Sequence, residues 1–156
     1  MVIEPMTPAD WPAVRKIYAD GIATGVATLE REAPDWDHFD RSHRTDCRLV
    51  ARDKARAPVL GWVALTAYSS RRVYSGVAWE SVYVAADARG RGVGRALLEA
   101  VIPASEAAGF WTLLAGVMAE NTAGVHVSNI LGKLGVATRT EAAAVAARLG
   151  LDRSDT

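Results

Sequence analysis

One cysteine, Cys47, serves the whole chain, so no internal disulfide can form and the usage fits a reducing, cytoplasmic setting. A lone thiol with no histidine partner indicated reads as a small buried residue rather than a nucleophile. Net charge of either sign is also missing, since 18 basic residues balance 18 acidic ones. That balance argues against broad binding to nucleic acid or to an anionic membrane. No apolar run approaches the length of a membrane span, and Met1-Val2-Ile3-Glu4 lacks the basic start and apolar stretch of a leader. Histidine is scarce: His38 and His43 fall on a polar helix where solvation suffices, and His126 stands alone. No cluster has metal-ligand spacing. Internal repeats and low-complexity linkers are absent too. What remains is 156 residues, half of them hydrophobic, enough for one domain with a substantial core.

Val2 to Met6 reads as a short strand. Thr7-Pro8-Ala9-Asp10 then opens a helix, with a Thr cap, a Pro at the first helical position and an acid in the first turn. Trp11, Val14, Ile17 and Tyr18 line one face of that helix, which runs to about Ala23 before Gly25 breaks it. A second helix starts at Pro34-Asp35-Trp36-Asp37 and extends to about His43. Strands follow at Cys47 to Asp53, Pro58 to Ala67 and Arg72 to Tyr83, with Trp79 to Ala85 reading as buried. Ala96 to Ala108 is a helix stopped by Gly109, and Trp111 to Ala119 is a further strand. The alternation predicts a mixed α/β fold.

The most informative run is Arg89-Gly90-Arg91-Gly92-Val93-Gly94-Arg95, placed between a strand and a helix start. Such a turn gathers unsatisfied backbone N–H groups, and the helix dipole favours an anion there, so the run reads as a phosphate nest. It is neither a Walker loop nor a full dinucleotide fingerprint. Arg89-x-x-Gly92-x-Gly94 resembles the loop by which the GCN5-related N-acetyltransferase (GNAT) superfamily holds the pyrophosphate of acetyl-coenzyme A. Ala23 to Glu30, Pro34-Asp35-Trp36, Leu60 to Leu65, Ser69-Ser70-Arg71, Val73 to Gly76 and Gly109 to Leu113 narrow the resemblance to the phosphinothricin/methionine-sulfone acetyltransferase branch. The resemblance covers about residues 1–121 and implies a mainly antiparallel sheet flanked by helices.

It also implies a site. Arg89, Gly90, Arg91, Gly92, Gly94 and Arg95 would anchor acetyl-CoA, with Val82, Tyr83, Val84 and Asn121 along its pantetheine arm. A bulge in the central strand would offer a main-chain N–H to the thioester carbonyl. The branch places its basic Glu three residues before the Val of Ser-Val-Tyr-Val; here that position is Trp79 and the acid is Glu80. Because strand side chains alternate, Glu80 as base needs a bulge to turn it; water-mediated proton loss assisted by Glu30 is the fallback. Arg71 would pair with an acceptor carboxylate, and Leu29, Glu30 and Trp36 would line the acceptor pocket. Tyr74 and Tyr83 read as packing groups.

Past Glu120-Asn121 the family's closing helix and last two strands do not appear. Val125 to Val136, then Ala137 to Leu151, resemble instead the last two helices of a LuxR-type helix-turn-helix domain, which divides the chain into 1–121 and a helical tail, 122–156. From Thr122 onward four basic residues (Lys133, Arg139, Arg148, Arg153) face three acids (Glu141, Asp152, Asp155), too little charge for phosphate-dominated affinity. The join reads as a gene fusion or frame accident, and the strand at Trp111 becomes an exposed edge unless another chain or the tail covers it, so lower stability or a homodimer through that edge is expected. The expected activity is acetyl transfer from acetyl-CoA to the amine of a small amino-acid-like acceptor. The alternatives are a coenzyme-A-binding protein with impaired catalysis and a DNA-binding regulator, which the missing scaffold helix disfavours.

Overall fold

In the computed structural model residues 1–118 are described, and Met1–Gly116 form a compact unit. Strand β1 (Val2–Pro5) is followed by Thr7, where the Asp10 carboxylate accepts from the Thr7 backbone N–H at 2.8 Å and from its hydroxyl at 2.9 Å. This reciprocal cap holds one 3-10 turn, Pro8–Asp10, which launches helix α1 (Trp11–Ala23). The short helix α2 (Trp36–Ser42) is capped by Asp35, whose carboxylate accepts from the His38 N–H at 2.8 Å. Strands β2 (Leu49–Arg52), β3 (Val59–Ala67) and β4 (Val77–Val84) follow, then helix α3 (Val93–Ala107) and strand β5 (Thr112–Ala115).

The five strands lie in the order β1-β2-β3-β4-β5, antiparallel throughout except for the parallel pair β4–β5. A parallel neighbour requires a crossover, and α3 supplies it. The result is the mixed, mainly antiparallel α/β sheet expected. Pleating then sorts the core into two layers. Cys47, Val63, Leu65, Ala78 and Phe110 pack with Val93, Leu97 and Val101 of α3. Val50, Trp62, Ala64 and Phe39 pack with Trp11, Val14 and Ile17 of α1. Cys47 is fully buried, and burial pushes its thiol up to about 11, which removes it as a nucleophile.

Several boundaries differ from the periodicity. Cys47 closes a 3-10 turn, Thr45–Cys47, rather than opening β2. Arg72–Tyr74 also form a 3-10 turn, and β4 begins only at Val77. Gly76 explains the break: its face lies against the Trp111 indole, where a Cβ would fall 2.2 Å from a ring carbon. The Trp111 N–H donates to the Gly76 carbonyl at 2.9 Å, and β5 then spans only Thr112–Ala115. Nor is β4 the buried strand expected, since Ala78 alone is buried and most of its other residues are half-buried. His43, read as solvated, stacks on the Phe39 ring at 3.9 Å and 19°.

Candidate active site

Two left-handed glycines shape the turn into α3. Gly90 (φ 74°) and Gly92 (φ 79°), the latter capping α3, sit where L side chains are strained, and no atom lies within 4 Å of the Cβ either would carry. Space beside both glycines is therefore clear of described atoms at the N-terminus of α3, where a helix leaves its first amides without intrahelical partners. Gly94 brings the same turn onto β4: a Cβ there would meet Val84 at 3.6 Å and Val82 at 4.0 Å. Arg89, Arg91 and Arg95 are exposed around it. Arg91 pairs with Asp53 at 2.5 Å and Arg95 with Glu99 at 2.7 Å, whereas Arg89 has no ion pair among the described residues.

Beside this cradle the sheet opens. β5 pairs with Val77–Glu80 only, the last partners being Glu80 and Ala115, so the ladder stops before Val82, Tyr83 and Val84. The sequence expectation placed the arm of the coenzyme along those three residues. The bulge expected in this strand is absent: β3 and β4 pair without a shift from Gly61–Val84 to Ala67–Ala78, and β4–β5 is equally regular. Each residue from Ala78 to Val84 has a single partner on β3, so alternation is strict. Glu80 lies opposite Leu65 on the α3 face, while Trp79, Ser81 and Tyr83 face α1. Burial raises the Glu80 carboxyl above its usual range.

The α1 face carries a constellation that the periodicity did not single out. Tyr83 stacks on the fully buried Trp62 at 4.8 Å and 14°, and Tyr18 closes on both rings, 4.8 Å from Tyr83 and 5.5 Å from Trp62. Gly21 makes room: a Cβ on it would sit 2.7 Å from two Tyr83 ring carbons. Burial pushes Tyr18 up to about 12, with Tyr83 and the Glu30 carboxylate adding to the rise. Tyr83 is raised by burial too, partly offset by hydrogen bonding with Thr28 and Tyr18. The signal in sequence was the i, i+3 pair Tyr18–Gly21 and the parity that sets Tyr83 across from Trp62.

The remaining expected acceptor groups are dispersed. Leu29 is exposed, and the Glu30 N–H donates to the Thr28 hydroxyl at 3.2 Å. Trp36 packs against Trp11 and Phe39, with the Arg48 guanidinium over its ring at 5.4 Å. No hydrogen bond, ion pair or ring contact among the described residues joins Trp36 to Leu29, Glu30 or Arg71. Arg71 is exposed, its guanidinium 5.4 Å from the Tyr74 ring centroid. Asn121 and the helix-turn-helix-like tail lie outside the described residues. Among the described residues no cluster suits a metal and no helix is long and apolar enough to cross a membrane.

The chain matches the Acetyltransferase (GNAT) family over residues 11–132, a span that runs past residue 121 into the segment read as tail. It is 36% identical to a phosphinothricin N-acetyltransferase of Alcaligenes faecalis, over 69% of this chain and 56% of that protein. It therefore spans little more than half of that relative. An L-methionine sulfoximine/L-methionine sulfone acetyltransferase of Pseudomonas paraeruginosa is 28% identical over 80% of this chain and 74% of its own length. Among solved structures, a phosphinothricin acetyltransferase of Sinorhizobium meliloti in complex with acetyl-CoA superposes with a TM-score of 0.69 and 26% identity, covering 84% of this chain and 73% of that one.

Proposed function

Because the chain belongs to the acetyltransferase (GNAT) family, we propose that it is an N-acetyltransferase that moves acetyl from acetyl-CoA to the primary amine of a small amino-acid-like acceptor. The carrying observation is the turn at Gly90 and Gly92, two left-handed glycines that lead into the N-terminus of α3 with clear space beside both, a shape that suits a pyrophosphate. Arg89, with no ion pair among the described residues, supplies positive charge there, and Arg91 and Arg95 do so once drawn from their carboxylates. Among the described residues β4 has no β5 partner from Val82 to Val84, which suits an extended amide-bearing arm that would add to the sheet as a strand does. Bound acetyl-CoA supplies a thioester carbon to which the amine nitrogen bonds as the carbon–sulfur bond breaks and the sulfur takes a proton.

The acceptor class follows from the relatives, which are named for amino-acid analogues. Arg71, free of carboxylate partners among the described residues, is the proposed carboxylate clamp, and Leu29, Glu30 and Trp36 are the proposed pocket wall. Release of free thiol from acetyl-CoA in the presence of methionine sulfone or phosphinothricin tests the reading. Acceptor-dependent release is expected, with KM raised about tenfold or more in Arg71→Ala for loss of a charge-assisted pair. No release with any amino-acid acceptor overturns it. A second reading, a coenzyme-A-binding protein with impaired turnover, is favoured by the placement of Glu80 on the α3 face, away from α1. Saturable acetyl-CoA binding without thiol release would select it.

A further inference from the structure

Beyond the packed rings of Tyr18, Trp62 and Tyr83 lies a second aromatic group. Tyr68 meets Tyr74 at 5.2 Å and Trp79 at 5.8 Å between ring centroids. This group is left open: Tyr68 and Trp79 are each 40% exposed, and the rings meet at 70° and 41° rather than stacking. One exposed ring is ordinary on a surface, whereas joined aromatic rings with uncovered surface mark a place where a ligand packs. The Arg71 guanidinium lies over the Tyr74 ring at 5.4 Å, which joins the proposed carboxylate clamp to the group.

The register sets this group beside the site. Trp79 pairs with Leu114, one residue before the β4–β5 ladder ends at Glu80–Ala115, and it shares the α1 face of β4 with Ser81 and Tyr83. Three residues, about 10 Å of strand, separate it from Val82, where the stretch proposed for the coenzyme arm begins. Between Tyr83 and Trp79 on this face stand only small side chains, Ser81 on β4 and Ala64 opposite it on β3. Resting on the acetyltransferase reading, we infer that Trp79 and Tyr68 form a wall for the acceptor's side chain, and that the acceptor is an aromatic amino acid whose carboxylate meets Arg71. Its ring would pack offset or edge-on against theirs, the arrangement aromatic pairs prefer. A cationic side chain would suit the same ring faces but would have to sit beside the Arg71 guanidinium. An acidic one would compete with the acceptor's own carboxylate for that guanidinium. The uncharged ring meets neither conflict.

The test offers L-phenylalanine, methionine sulfone and L-lysine as acceptors to the full chain and to Trp79→Leu, Trp79→Phe and Tyr68→Leu. Acetyl-CoA binding, read by calorimetry, is expected to stay within about twofold of wild type in all three variants, since none touches the anion cradle. Wild type should show a kcat/KM for L-phenylalanine about tenfold or more above that for either other acceptor. Trp79→Leu keeps apolar bulk and removes the ring, so KM for L-phenylalanine should rise about tenfold with kcat little changed. KM for methionine sulfone should move by less than about threefold in the same variant. Trp79→Phe, which retains a ring, should keep most of the preference. Tyr68→Leu, away from the β4–β5 ladder, should lose it in the same direction and serves as the reading if Trp79→Leu does not fold. Wild type that acetylates methionine sulfone or L-lysine as well as L-phenylalanine overturns the aromatic wall alone, as do variants that lose every acceptor equally. Wild type that binds acetyl-CoA but acetylates none of the three overturns the transferase reading, and the wall with it.

Discussion

His43 follows α2 with its ring against Phe39, and its Nδ1 lies 3.0 Å from the Phe39 carbonyl and 2.9 Å from the Ser42 hydroxyl. Burial holds the imidazole down to about 4, so the fold prefers it neutral. The unfolded chain, with an ordinary histidine near 6.5, binds the proton more readily. Stability from this group is therefore complete above about pH 6.5 and is lost as pH falls toward 4, on the order of 2 kcal/mol. Thermal melts between pH 7 and 4.5 should show a steeper acid loss in wild type than in His43→Phe, which keeps the stack and removes the titration. Equal slopes would contradict the assignment. The sequence placed His43 on a polar helix because its flanking residues are polar; stacking depends on Phe39, four residues back, turning inward, which spacing alone does not reveal. Trp36, read from its motif as a pocket wall, also packs against Trp11 and Phe39 with the Arg48 guanidinium over its ring, contacts that its motif does not reveal. Glu80 was legible, because alternation along an unbulged strand fixes its face once Val82 is placed.

At the scale of elements, α3 carries the proposed anion cradle at its N-terminus and an internal conflict further on. Pro103 lies exposed within Val93–Ala107, where it withholds an N–H from the Glu99 carbonyl. The buried stripe of Val93, Leu97 and Val101 keeps the helix running regardless. Pro103→Ala should raise stability by about 1–3 kcal/mol in urea melts without altering acetyl-CoA affinity. A destabilised variant would mean that the proline is needed where it stands. The order of strands and helices was readable from periodicity, and so was the glycine turn before α3. Strand ends were not. Gly76 against Trp111 and Cys47 in its 3-10 turn are set by tertiary contacts that no local pattern carries.

At the scale of the described unit, the sheet divides the work between its faces. The proposed anion cradle lies on the α3 side, β4 has no partner beyond Glu80 on its β5 edge among the described residues, and Tyr18, Trp62 and Tyr83 pack together on the α1 face. Each part lies on a different element, and only the first announces itself as a contiguous motif. The central claim is that the turn at Gly90 and Gly92 is built for the pyrophosphate of acetyl-CoA. A Cβ at Gly92 would meet no described atom within 4 Å, so the effect of a side chain there starts from the left-handed backbone and the space an anion would fill. Strain there is worth about 1–2 kcal/mol. Calorimetric titration of acetyl-CoA into wild type and Gly92→Val is the most direct measurement. Saturable one-to-one binding that weakens by about tenfold or more in the variant is the predicted result. Absence of binding to wild type, or equal affinity in both proteins, would contradict it.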